Sequence, residues 1–261
     1  MTRERVALVT GATGAIGRAI AAGMAAEGFR LILLVRDADR GERAAREVRR
    51  TSGHDRVSVE VVDLARRSEI EAFARRFPGP LDVLIQNAAT APRRRQATPE
   101  GIEVQLATNV LAYLWLAEAL APALERAGTA RIVNVASYWA GDLDLSDLEF
   151  SRRRYDNDTA YRQSKQANRM LTVVQAERYA PRRITVNVCH PGDVSSTLSH
   201  DLGFGGSESP EEGARTPLWL ATSRELDGVS GRYFERGRES ACRFGRERAA
   251  CAELYRVCAA R

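Results

Sequence analysis

The residues best equipped for chemistry stand in Tyr161-Arg-Gln-Ser-Lys165, early in a stretch with helical patterning, and Ser137 closes an apolar run 24 residues upstream. Spaced by four on a helix, Tyr161 and Lys165 project from one face and can converge on one ligand. A phenol ordinarily ionises near pH 10 and exchanges protons poorly at neutral pH; a neighbouring ammonium favours the phenolate and lowers that value. Such a pair is also common surface decoration, so its weight depends on what surrounds it. Composition adds to that weight. Of 39 basic side chains, 38 are arginine and one, Lys165, is lysine. A chain this averse to lysine would place arginine wherever a long surface cation suffices, which marks Lys165 as a position arginine cannot serve; chance survival is the plain alternative.

A second constellation lies near the N-terminus. An apolar run, Val6 to Thr10, leads into Thr10-Gly-Ala-Thr-Gly-Ala-Ile-Gly17 and then an alanine-rich helical segment, Arg18 to Glu27. Glycines let a backbone turn tightly and approach a pyrophosphate, while the free N–H groups and positive dipole end of the following helix receive its charge. Gly11, Thr13, Gly14, Ile16 and Gly17 are the candidate residues of this nucleotide loop. An acid at the end of the second strand would hold the ribose 2′-hydroxyl of NAD. Here Val35 fills that place, followed by Arg36 and, four residues on, Arg40. Guanidinium groups suit a 2′-phosphate, so NADP(H) is favoured over NAD(H). Asp37 cuts the other way, and two ordinary surface arginines are the alternative.

The elements that must position these residues are read from alternating apolar and helix-like segments, the pattern of a parallel sheet covered on both sides. Strands are expected near Val6 to Thr10, Leu31 to Val35, Val57 to Val61, Leu81 to Gln86, Arg131 to Ala136, Thr185 to Cys189 and Gly231 to Phe234. The expectation is an α/β fold: a single doubly wound Rossmann domain over residues 1–261, with a mostly parallel seven-stranded sheet and helices on both faces. Residues 140–159 and 199–212 read as mobile substrate loops, at the carboxyl ends of the strands where such sheets bind ligands. Trp139, Phe150, Tyr155 and Phe204 fall in or beside them, which hints at a bulky lipophilic or polycyclic carbonyl, although aromatics in loops are as often packing. Arg243 to Arg261 reads as a packing helix.

Composition excludes several classes. At 44% hydrophobic and 28% charged residues the chain is ordinary globular material. It contains no run of about 18 apolar residues, so no membrane span is expected. Met1-Thr-Arg-Glu-Arg-Val runs straight into the first strand without a signal-peptide body, which favours a cytoplasmic protein. Cys189, Cys242, Cys251 and Cys258 lack metal or redox spacing, so neither a metal site nor a disulfide framework is expected. The net charge is +5, but the arginine triplets at Arg93 to Arg95 and Arg152 to Arg154 lack aromatic interleaving, so nucleic acid is not the expected partner.

Taken together these residues resemble the short-chain dehydrogenase/reductase family, in its shorter single-domain subgroup. Tyr161-x-x-x-Lys165 is similar to its catalytic motif, Ser137 in Val133-Asn-Val-Ala-Ser137 to its catalytic serine, and Asn109 in Thr108-Asn-Val-Leu to its catalytic asparagine. Asp63-Leu64 resembles the pair that contacts adenine. Gln86-Asn87-Ala88-Ala89 resembles the family's Asn-Asn-Ala-Gly, and His190-Pro191-Gly192-Asp-Val194-Ser-Ser196 its segment beside the nicotinamide. Val35 to Glu42, Ala160 to Asn168, Pro210 to Ala214 and Gly231 to Phe234 look like the retinol dehydrogenase and WW-domain oxidoreductase type.

The resemblance implies hydride transfer between a nicotinamide and a carbonyl or alcohol carbon of a small-molecule substrate. Tyr161 would move the oxygen-bound proton and Ser137 would hydrogen-bond that oxygen. Lys165 would lower the tyrosine's pKa while holding the ribose, and Asn109 would order a water between Lys165 and solvent. It also implies a homodimer or homotetramer built on the helix that bears Tyr161. Three departures stand out: Ala15 replaces the middle glycine of the loop, Ala89 a glycine, and Ser196 a threonine, with Thr197 adjacent. The glycine spacing also fits an epimerase-like loop. Epimerase-like or imine-reducing chemistry on the same scaffold, and a non-catalytic NADP-binding sensor, are therefore the competing readings.

Overall fold

Strand β1 (Val6–Thr10) is buried along its whole length, as a central parallel strand must be when helices cover both faces. Its side chains alternate between two cores: Val6 and Leu8 enter one, Ala7 and Val9 the other. A computed structural model describes residues 3–261; Met1 and Thr2, the head of the lead-in to β1, lie outside the described residues. The further strands are β2 (Arg30–Val35), β3 (Val57–Val61), β4 (Val83–Gln86), β5 (Ala130–Val135), β6 (Ile184–His190), β7 (Tyr233–Glu235) and β8 (Arg238–Ser240). Their order is β3-β2-β1-β4-β5-β6-β7-β8. All neighbours pair in parallel except β7 and β8.

The sheet is therefore the expected doubly wound one with eight strands instead of seven. β8 follows β7 through Arg236 and Gly237, both left-handed at φ 49 and 68, the backbone that a tight hairpin requires. Its three residues, the exposed Arg238 and Glu239 and the half-buried Ser240, gave no apolar run to read.

Helices α1 (Ala15–Ala26) and α2 (Ala38–Ser52), with α8 (Pro210–Thr222), cover one face through Ile20, Ala44 and Leu220. On the other, α3 (Arg67–Arg76), α5 (Ala112–Arg126), α6 (Asn157–Tyr179) and α9 (Arg248–Ala259) contribute Ile70, Leu114, Leu171 and Leu254. A short α4 (Val104–Leu106) reaches α5 through a π turn at Ala107–Leu111. The continuous rod Val104–Arg126 is long and apolar enough to cross a membrane by composition, but 78% of its apolar window is buried in the protein, as a core helix would be.

The two expected loops are more structured than their composition implied. In 140–159, Asp147 accepts the N–H groups of Ser151, Arg152 and Arg153, and Asp142 pairs with Arg162 at 2.8 Å. Segment 199–212 holds most of α7 (Thr197–Asp201) and the start of α8, each opened by a reciprocal cap: Ser196 with Ser199, and Ser209 with Glu212. The strand order reverses beside β1, so the ends of β1 to β6 converge on one crevice.

Candidate active site

Two glycines build the turn after β1. Gly11 is left-handed at φ +66, and a Cβ there would meet the Ala88 backbone at 2.8 Å; a Cβ on Gly17 would sit 2.2 Å from the Gly11 carbonyl oxygen. Gly14 has no such constraint, since its Cβ would touch only that oxygen, at 3.4 Å. It is the extended N-cap of α1, without a side-chain cap, so the first-turn N–H groups remain available. Ala15 is then simply the first residue of α1, where glycine has no steric purpose. Thr10 ties this turn to the end of β4: its hydroxyl oxygen accepts the N–H of Asn87 at 2.9 Å and of Ala88 at 3.0 Å.

The crevice has a volume of about 860 Å³, within the range of ligand clefts. Gly11, Thr13, Gly14, Ile16 and Gly17 form its floor, and Asp63, Leu64, Asn87, Ala88, Ala89 and Ser196 its walls. Arg36 and Arg40 stand at the end beyond β2, joined by Arg43. Asp37 caps α2, one of its carboxylate oxygens accepting the Arg40 N–H at 2.9 Å. Arg18 is neutralised by Glu47 at 3.1 Å. Asp63 is braced, accepting the Ala65 N–H at 3.0 Å while its own N–H donates to Glu69 at 2.8 Å. A bare helix N-terminus at mid-cleft fits the pyrophosphate of a nicotinamide dinucleotide, and three arginines stand at one end.

At the inner end, α6 supplies Tyr161 and Lys165, its start fixed by Asp156, which accepts the Thr159 N–H at 2.8 Å. Lys165 is 2% exposed. Its Nζ donates to the Val135 carbonyl at 3.1 Å and lies 5.4 Å from the centre of the Tyr161 ring. Burial pulls its ammonium down from 10.5 to about 7. Burial likewise pushes the Tyr161 phenol up, against which a hydrogen bond from Ser137 favours the phenolate. The Ser137 Oγ accepts the Trp139 N–H at 3.0 Å, so its own proton is left to donate. Asn109 is buried in the π turn, and its side chain is committed to the Thr90 backbone, accepting its N–H and donating to its carbonyl, both at 2.9 Å. Its Nδ2 also lies 3.3 Å from the Ser164 hydroxyl on α6. Asn109 thus adjoins the Tyr161 helix without touching Lys165 among its hydrogen bonds.

The short chain dehydrogenase family model matches residues 5–203. The chain belongs to the short-chain dehydrogenase family. It is 38% identical to a "probable oxidoreductase" of Streptomyces antibioticus over 93% of this chain and 88% of that one. With retinol dehydrogenase 13 of Mus musculus it shares 33% identity over 91% of this chain and 77% of the relative. A crystal structure of a metagenomic short-chain oxidoreductase in complex with NADP superposes with a TM-score of 0.68 at 27% identity, covering 88% of this chain and 95% of that one.

Within this short-chain dehydrogenase, a second, smaller cavity of about 50 Å³ adjoins the cleft. Ser137 and Tyr161 line it together with Pro191, Gly192, Val194 and Ser196, while Lys165 and Asn109 lie behind its wall. Of the four loop aromatics, Trp139 and Phe204 close this cavity, their rings 5.1 Å apart. Phe150 and Tyr155 instead pack on each other at 5.4 Å, and Tyr155 donates to the Pro92 carbonyl. They are loop packing.

Sequence reasoning passed over four residues here. Arg43 was accessible, standing three residues after Arg40 on α2, one helical turn further along the same face. Thr10, Thr90 and His190 were not, because their roles depend on backbone contacts and burial. His190 lines the small cavity with its ring edge-on to Tyr138 at 4.7 Å, and burial pulls it down from 6.5 to about 4.

Proposed function

We propose that the protein is an NADP(H)-dependent oxidoreductase acting on a carbonyl or alcohol carbon. The observation that carries this reading is the buried meeting of Tyr161, Ser137 and Lys165 where the large cleft joins the small cavity. When bound, the nicotinamide supplies or accepts the hydride. Tyr161 gives a proton to the substrate oxygen in reduction, or takes it in oxidation. Ser137, its Oγ already held by the Trp139 N–H, donates to that same oxygen as negative charge grows on it. Lys165, its Nζ 5.4 Å from the centre of the Tyr161 ring, would favour the phenolate when protonated, against the burial that pushes the phenol up, and would hold the ribose hydroxyls. Asn109 anchors the Thr90 loop against α6; with its side chain so committed, the water expected between Lys165 and solvent gains no support from it.

Arg36 and Arg40, with Arg43, support NADP(H) over NAD(H), as does the NADP held by the metagenomic relative. Leu198, Leu202, Trp139 and Phe204 give the small cavity an apolar lining. With the likeness to retinol dehydrogenases, this supports a lipophilic substrate, while the bulk expected of it finds no support in a cavity of about 50 Å³. Epimerase-like chemistry loses its particular support, because Gly14 makes no close contact that its position requires. Four free cysteines suit a reducing, cytoplasmic setting. We read residues 1–261 as one domain. The homodimer or homotetramer implied by the resemblance would form away from α9, which already packs on α6 and buries Cys251, Leu254 and Cys258 completely.

The test is NADPH oxidation with all-trans-retinal, decanal and trans-1-decalone as probes. Tyr161→Phe and Lys165→Arg are each expected to lower turnover at least a hundredfold, roughly 3 kcal/mol of barrier, with the melting temperature of Tyr161→Phe little changed. Arginine's larger fork does not fit a closed site and cannot release a proton. Near-normal turnover by Tyr161→Phe would sink the mechanism, and binding without turnover of any probe by the wild type would favour the sensor.

A further inference from the structure

One helical turn beyond Lys165, on the same face of α6 as Tyr161, stands Arg169. It is 6% exposed, an unusual place for a guanidinium that faces no bulk water. Its Nη2 donates to the carbonyl oxygen of Ser137 at 2.5 Å and to the Tyr233 hydroxyl. The guanidinium plane stacks 3.6 Å from the centre of the Tyr233 ring. The Tyr233 hydroxyl in turn donates a hydrogen bond to the Glu235 carboxylate, which lies 3.8 Å from Arg169. The chain Glu235, Tyr233, Arg169, Ser137 thus runs from the β7–β8 hairpin to the residue that donates to the substrate oxygen, and each link is a directed hydrogen bond. Burying an arginine costs more than surface placement would; two acceptors on Nη2 and the Glu235 charge 3.8 Å away offset part of that cost.

We propose that Arg169 is a positioning residue for Ser137, and that the β7–β8 hairpin, through Tyr233 and Glu235, holds Arg169 in place. Ser137 is gripped at two points: Arg169 holds its carbonyl and the Trp139 N–H holds its hydroxyl oxygen. These two contacts leave the residue one direction in which to aim its proton. Neither Arg169 nor Tyr233 lines the cavity that Ser137 and Tyr161 line, so neither touches a substrate there, and Ser137 is the cavity residue to which Arg169 is hydrogen-bonded. The inference rests on the proposed role of Ser137.

The experiment is a double-mutant cycle on NADPH oxidation, with the fastest of the three carbonyl probes, comparing Arg169→Met, Ser137→Ala and the double variant. Arg169→Met is expected to lower kcat ten- to a hundredfold with the KM for NADPH within twofold of wild type. Arg169→Lys, which can still donate to the serine carbonyl, should recover part of that loss, and Tyr233→Phe should lose three- to tenfold. In the Ser137→Ala background the same Arg169→Met change should cost less than threefold, because the group it positions is gone. Losses that multiply in full would make Arg169 a general structural residue and overturn the proposal. If Ser137→Ala alone leaves turnover intact, the functional reading fails first. Amide exchange at Trp139 gives a readout independent of turnover and of the double variant: it should quicken at least tenfold in Arg169→Lys or Tyr233→Phe, and unchanged protection in both would also overturn the proposal.

Discussion

Cofactor choice turns on a few exposed groups at the end of β2. Arg36, Arg40 and Arg43 border the cleft, while Asp37 caps α2 through one carboxylate oxygen. For Asp37 to turn both oxygens to an unphosphorylated ribose it would have to leave that cap, which costs about 1 kcal/mol. A charge-assisted hydrogen bond is worth about 1.5–3 kcal/mol, and solvent screening at this exposed rim argues for the lower end. Replacing Arg36 and Arg40 by alanine should then cost about 3 kcal/mol, or roughly a hundredfold in the affinity for NADPH. Thermal shift reads this directly. NADPH at a hundred times its dissociation constant should add about 2.7 kcal/mol, equivalent to roughly 5–10 °C in a chain of this size. At the same concentration the double variant would sit near its dissociation constant, adding about 0.4 kcal/mol, a shift of roughly 1 °C. NADH should shift both proteins little and equally. Equal shifts by NADH and NADPH in the wild type would refute the assignment of these arginines, as would a double variant that keeps its preference.

Two further substitutions probe the loop and the buried lysine. Gly17→Ala places a Cβ 2.2 Å from the Gly11 carbonyl oxygen and Gly14→Ala only 3.4 Å from it. The first should lower the melting temperature by the roughly 1–3 kcal/mol of an overpacked site and the second far less; equal drops would discard this account of the turn. Lys165→Met should stabilise the protein in the absence of cofactor. The lysine's pKa falls from 10.5 unfolded to about 7 folded, so its charge opposes folding in full below pH 7, and this penalty fades as pH rises from 7 towards 10.5. The variant's gain in melting temperature should be largest near pH 6 and vanish towards pH 10; a gain that grows with pH would contradict the burial of the charge.

The central strands could be read from the sequence because a parallel strand buried on both faces must be continuously apolar, as β1, β2 and β4 are. That argument fails at an edge. β8 is largely exposed and charged, and only the Arg236-Gly237 turn betrays it. In the 199–212 segment the glycines drew attention away from a readable signal: Ser209-Pro-Glu-Glu212 is a capping box that starts α8. The site divides in the same way. Tyr161 and Lys165 announce themselves by local spacing, and the glycine loop by its place between strand and helix. Thr10, Thr90 and Tyr233 act through partners 78, 19 and 64 residues away in Ala88, Asn109 and Arg169, so no local pattern marks them.

The composition of the chain acquires a physical reason at α6. Two cations stand one turn apart on one buried face, and the chain uses lysine for the first and arginine for the second. Lys165 reaches a single protein acceptor, the Val135 carbonyl, and burial brings its ionisation to about 7, where it can exchange protons. A guanidinium could not do this, since it stays protonated at any pH the fold survives. Arg169 serves two acceptors from Nη2 while its guanidinium lies over the Tyr233 ring, a flat contact on an aromatic face that a compact ammonium makes less well. On the role proposed for Lys165, a sequence that writes arginine 38 times out of 39 breaks its habit where a cation must be compact and able to lose its proton. The reciprocal exchange, Lys165→Arg with Arg169→Lys, keeps the charge count on α6 and should still cost most of the activity, because each position selects its cation by geometry and acidity, and charge alone satisfies neither.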